Sequence, residues 1–302
     1  MTLSFVVLEA SQFVFFGGLF QRMSSFTFGF LVFGLTVLIF VGWSLLFYPE
    51  QVRAAFKQPK QLLAINLGAV VTFTAYLLSV QLVEPAVTYT ISSGAMPITA
   101  YVLYRLGVRE GEPMRNRPEL VGNLLILVGI IFLAVITIAG WSGFVRGDWL
   151  IACAGVGLAI VDGVFFTLII VYSQRLSNSG VGPGAVLGLR LPLYVLVTGL
   201  FVLSDSNQSH FLSASDTALF VVIGFLLTIP PLYLLQKAVL LLPTLTLSAL
   251  TALGPVVIFM LQIFEGRVEY KAATLIGLSV YIAGAILSSV GAVKGSAQTE
   301  FA

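Results

Sequence analysis

Residues 9–24 read EASQFVFFGGLFQRMS, and residues 162–177 read DGVFFTLIIVYSQRLS. In each, an acid stands twelve residues ahead of Gln-Arg-x-Ser, after an almost wholly apolar run. Glu9 and Asp162 therefore occupy matching points of hydrophobic helices in two halves of one chain. A duplicated membrane protein with a carboxylate buried in each half reads most simply as a transporter.

Composition supports that reading. Hydrophobic residues make up 58% of the 302 residues and charged residues 9%, with a mean hydropathy of +1.04. A soluble domain carries roughly 25% charged residues, so this surface expects a lipid bilayer as its solvent. The net charge of +2 is too small to point to nucleic acid. A single cysteine, Cys153, excludes an internal disulfide and a cysteine metal cluster, and no cofactor is expected. It reads as a packing residue. The lone His210 lies in the polar segment 204–216 and reads as structural or solvated. The first twenty residues lack the basic start of a cleaved signal peptide and read as a permanent helix.

Ten apolar segments of spanning length are expected, near 2–20, 27–47, 62–82, 85–105, 119–139, 149–173, 184–204, 217–237, 243–263 and 272–292. Lys and Arg set the orientation. One side collects Arg53, Lys57, Lys60, Arg105, Arg109, Arg115, Arg117, Arg175, Lys237 and Lys294; the other has only Arg22, Arg146, Arg267 and Lys271. That bias puts both termini in the cytoplasm.

The repeat continues beyond the acids. Tyr76-Leu77-Leu78 matches Tyr233-Leu234-Leu235, and Pro85/Pro97 match Pro243/Pro255. Gly122/Gly129 match Gly277/Gly284, seven apart in each pair. Five helices per repeat is odd, so the halves would insert with opposite topology. The expected fold is an all-α membrane protein of ten transmembrane helices in two inverted five-helix repeats, 1–146 and 147–302.

These matches resemble the drug/metabolite transporter superfamily, in its ten-helix EamA-like form. The resemblance covers nearly the whole chain and rests on Pro85 to Gly107 with Pro97 mid-helix, on Gly122/Gly129, and on their copies around Pro255 and Gly277/Gly284. Phe264-Glu265 approximates the Gly-Glu that closes the ninth helix in such chains; Leu106-Gly107 lacks the acid. The resemblance implies a central cavity lined by helices from both halves.

At roughly 18 Å from opposite faces, both acids fall near the bilayer midplane. A charge there costs about 2.5–3.5 kcal/mol even on the lenient scale, which argues against two idle carboxylates. Either acid can carry a proton or meet a cationic substrate; the alternative is an inter-helix hydrogen bond. Arg190 is the one basic residue well inside a span, able to clamp a carboxylate or phosphate, neutralise Asp162, or snorkel to the interface. Phe13 follows Glu9 by four and Phe166 follows Asp162 by four. With Tyr76 and Tyr233 they can wall a cavity, or simply pack. Pro97, Pro230, Pro231 and Pro255 interrupt helices as hinges or static kinks. The glycine pairs predict close packing of the fifth and tenth spans, on each other or on a partner.

The expected activity is secondary transport, outward and proton-coupled by alternating access, of small metabolites such as amino acids or of amphipathic and cationic compounds. A nucleotide-sugar or sugar-phosphate exchanger is the alternative, although such cargo asks for several buried cations. An enzyme is not expected: the spans hold no His, no HExxH and no Gly-rich phosphate loop. The expected setting is a bacterial inner membrane, as a monomer or homodimer.

Overall fold

The structure, a computed structural model, describes residues 2–19, 23–108, 114, 116–204, 213–241, 254–266, 269 and 271–300. Gln21, Arg22, Arg109, Arg115, His210, Pro243 and Arg267 lie outside the described residues, as does the start of the expected ninth span.

The described residues form helices α1 (Thr2–Leu19), α2 (Ser25–Phe47), α3 (Pro49–Phe56), α4 (Pro59–Leu82), α5 (Pro85–Arg105) and α6 (Arg117–Ile138). These are followed by α7 (Trp149–Asn178), α8 (Pro183–Leu189), α9 (Pro192–Ser204), α10 (Ala214–Leu241), α11 (Gly254–Glu265) and α12 (Ala272–Glu300). Among the described residues no strand joins them; one antiparallel bridge links Val83 to Val145.

Local sequence explains where the helices begin. Proline stands at or next to the first position of α3, α4, α5, α6, α8 and α9, where its missing N–H costs nothing. Asn116 caps α6 by accepting from the Glu119 amide at 3.0 Å, and Asp148 caps α7 by accepting from Leu150 and Ile151.

Among the described residues, seven helical segments are long and apolar enough to cross a membrane: 25–47, 59–82, 117–138, 149–178, 183–204, 215–237 and 272–291. Their outward faces expose Leu38, Trp43, Leu46, Leu124, Ile131 and Val135, which only a lipid solvent tolerates in such numbers. This is the make-up of a multi-pass integral membrane protein.

Three expected spans fall outside that set. α5 fails on polarity rather than length, because Thr88, Tyr89, Thr90, Ser92 and Ser93 dilute its apolar content. It is buried from Pro85 to Met96 and packs on α6, α7 and α11. The first and ninth are represented by α1 and by α11, whose described part has 12 residues.

The expected seventh span is broken in two at Arg190-Leu191, just ahead of Pro192. Asn66 on α4 braces the break: Nδ2 donates to the Leu189 carbonyl at 2.8 Å, and Oδ1 accepts from the Leu193 amide at 3.2 Å. Those are backbone groups that the interruption would otherwise leave unpaired away from water. Asn66→Leu is expected to cost about 2–4 kcal/mol, since two buried polar groups lose partners at once. Thermal unfolding of the purified protein checks this; a change within 0.5 kcal/mol would mean the break does not depend on Asn66.

Glu84, in the turn between α4 and α5, is fully buried. Its carboxylate accepts from the Gly143 amide at 2.8 Å, from Thr274 Oγ1 at 3.1 Å and from Gln262 Nε2. It ties that turn to the α6–α7 connection, α11 and α12. Burial pushes its carboxyl above the ordinary range, against the pull of the three hydrogen bonds. The folded state therefore holds this proton to higher pH than the unfolded chain does. The contribution to stability is complete below the ordinary value of about 4.3 and is lost as pH rises through the raised one. Relative to Glu84→Gln, the wild type is expected to lose thermal stability as pH rises across that window; parallel curves for the two proteins would exclude the titration.

Candidate functional site

The two repeated acids meet at one place. Glu9 on α1 accepts from Tyr89 Oη at 2.9 Å, and Asp162 on α7 accepts from Ser92 Oγ at 2.6 Å. Both donors stand on α5, so this polar helix holds each acid by a hydroxyl. The carboxyl groups border a cavity of about 70 Å³, alongside Gln12, Thr72, Tyr76 and Met96. That is room for a few waters or a small cation, far below the roughly 300 Å³ and more of drug-sized sites. In this conformation the cavity is a constriction, and a larger ligand needs the helices to part.

Phe13, Tyr76 and Phe166, named from the sequence, lie on the cavity wall. The Phe13 ring sits 4.7 Å from Tyr76 and 4.8 Å from Tyr89, the latter edge-on. The Tyr76 hydroxyl accepts from Gln12 Nε2 at 3.3 Å. The wall is thus amphipathic: aromatic faces between two acids, with the buried Thr72 Oγ1 free of any protein partner.

Tyr233 is not brought to the wall. It is half-buried against Phe40, with Lys237 Nζ 4.9 Å from its ring centroid. Helical phase explains the difference. Leu232 and Leu235 share the face that lines the cavity, and Tyr233 is turned about 100° away from Leu232.

Arg190 neither snorkels nor pairs with Asp162. It is 2% exposed, and Lys271–Glu269 is the ion pair among the described residues. Its Cζ rests 5.9 Å from the ring centroid of Phe73, a residue of the cavity wall, while Arg190 itself is not part of the lining. The chain breaks at this point, which keeps the side chain inside the bundle.

Of the prolines, Pro97 lies inside α5, and Pro230 and Pro231 lie inside α10. Pro255 is the second residue of the described part of α11, and the residues ahead of Gly254 lie outside the described residues.

Sequence reading missed the α5 stripe of Tyr89, Ser92, Ser93 and Met96, all on the wall. The spacing i, i+3, i+4, i+7 is one helical face, and polar residues on such a face in an apolar span were a usable signal. Among the described residues no set of three His, Cys, Asp or Glu gathers to hold a metal.

No known family profile matches this chain, and no curated protein matches it. In fold it is similar to a protein of known crystal structure, at 16% sequence identity and a TM-score of 0.64, with 95% of this chain and 97% of the other covered. The likeness takes in nearly the whole length of both chains and concerns the fold.

Proposed function

We propose that this protein is a proton-coupled secondary transporter, exporting small metabolites or cationic compounds across a bacterial inner membrane. In this reading the chain has ten spans in two inverted five-helix repeats of the drug/metabolite transporter type, with both termini cytoplasmic. The observation that carries it is the convergence of Glu9 and Asp162, 153 residues apart in sequence, on one buried cavity with aromatic walls. Two carboxyl groups in so small a space repel when both are ionised, and a proton or a substrate cation between them relieves that.

Helix packing supports the two-fold relation. α7 packs on α4 and α5 of the first half, while α1 packs on α10 and α11 of the second. Each acid-bearing helix is thus held by the opposite half. Rocking the halves would part the cavity toward one face and then the other.

The test is the external pH of proteoliposomes on adding amino acids, polyamines and quaternary amines. A compound-dependent proton flux is the expected result. Uptake of a labelled compound with no proton movement would make the protein a facilitator and remove coupling from the reading.

A further inference from the structure

α8 and α9 interrupt one apolar span, and Arg190 is the residue at the interruption. Its Nη1 donates to Gln236 Oε1 on α10 at 3.5 Å. Its Nε and Nη2, on another edge of the guanidinium plane, meet no protein acceptor, and neither does Gln236 Nε2. Both side chains are 2% exposed. Three buried donor groups, one edge of them cationic, thus share a single neighbourhood without an acceptor.

An unmet cationic donor is among the costliest arrangements inside a protein. No ion pair between Arg190 and an acid stands among the described residues. Glu9 holds Tyr89, Asp162 holds Ser92, and the Asn66 carbonyl oxygen accepts from the Leu193 amide. The Nε–H and Nη2–H vectors run side by side, the fork that matches the two oxygens of a carboxylate. Lysine cannot supply that edge.

We propose that Arg190 and Gln236 form a binding site for one carboxylate group of the solute, next to Phe73 of the cavity wall. The two oxygens accept side-on from Nε–H and Nη2–H, and the Gln236 amide gives a third hydrogen bond. The Phe73 ring borders both places, lining the cavity of the acids, with its centroid 5.9 Å from the guanidinium carbon. The site rests on this geometry; that its ligand is a transported solute rests on the transporter reading above. Polyamines and quaternary amines, lacking a carboxylate, leave it unfilled.

The experiment follows arginine Nε–H signals in purified, full-length protein labelled with nitrogen-15 at arginine, titrated with acetate and separately with chloride. One buried signal, absent from Arg190→Lys, is expected to shift saturably with acetate and not with chloride. Gln236→Leu is expected to weaken the acetate response about tenfold or more. This variant keeps the test intact if Arg190→Lys fails to fold. No acetate response, or an equal response to chloride, overturns the carboxylate site. Saturable acetate binding with neither proton flux nor labelled uptake in vesicles upholds the site and removes the transport reading. Proton flux without an acetate response removes the site alone.

Discussion

Asp162→Asn is expected to abolish accumulation driven by a pH gradient while leaving exchange of labelled for unlabelled substrate in place. Asn can accept the Ser92 hydrogen bond as Asp162 does, so packing around α5 and α7 is kept. What it cannot do is take up and release a proton. A pH difference of one unit is worth about 1.4 kcal/mol per coupled proton, or roughly a tenfold concentration ratio. Wild-type vesicles should approach that ratio and the variant should level off near one. Exchange needs only that the loaded protein reorient, which does not require net proton movement. Loss of both activities would mean that Asp162 binds the substrate itself; retention of both would return it to a structural role.

Gly122→Ala and Gly284→Ala are expected to be strongly destabilising single-methyl changes, at about 3 kcal/mol each. A Cβ on Gly122 would run into the backbone of Ser288 and the Gly284 carbonyl; one on Gly284 would meet the Ile126 amide nitrogen at 2.6 Å. Backbone on a facing helix cannot swing aside as a side chain can. Around this contact Asn123 Nδ2 donates to Ser288 Oγ at 3.1 Å and Asn116 Nδ2 to the Gly291 carbonyl at 2.6 Å, so parting α6 from α12 would also break buried hydrogen bonds. Gly157→Ala on α7 is the control, because a Cβ there meets nothing within 4 Å. It should be neutral or stabilise by about 0.5–1 kcal/mol, as removal of a mid-helix glycine does. Thermal unfolding of the three variants in one detergent decides the matter, and equal midpoints would show that α6 and α12 can separate freely.

The acids and the glycine seam were legible because each is a local pattern written twice. An acid in an apolar run, or glycines seven apart, keeps its meaning whatever the rest of the fold does. Tyr233 shows the limit of that logic: matching Tyr-Leu-Leu triplets gave equivalence in sequence, but the wall is chosen by helical phase, which places Leu232 and Leu235 there instead. Glu84 carried no sequence signal, since its partners Gly143, Gln262 and Thr274 are 59, 178 and 190 residues away. Arg190 was visible as an inward charge, while the break ahead of Pro192, two residues later, was not foreseen in a span expected to be continuous. Its isolation from any carboxylate followed only from the packing of α4, α9 and α10 around it.

The measurement that bears most directly on alternating access at the acid-lined cavity is thiol labelling of Ser93→Cys in a Cys153→Ser background. Ser93 stands on the wall between the two acids and is nearly buried. In oriented vesicles a membrane-impermeant maleimide should reach it from either face in turn, with substrate slowing the reaction and an imposed pH gradient shifting which face is open. Labelling from one face alone, unaffected by substrate or gradient, would contradict a transporter that opens this cavity to both sides.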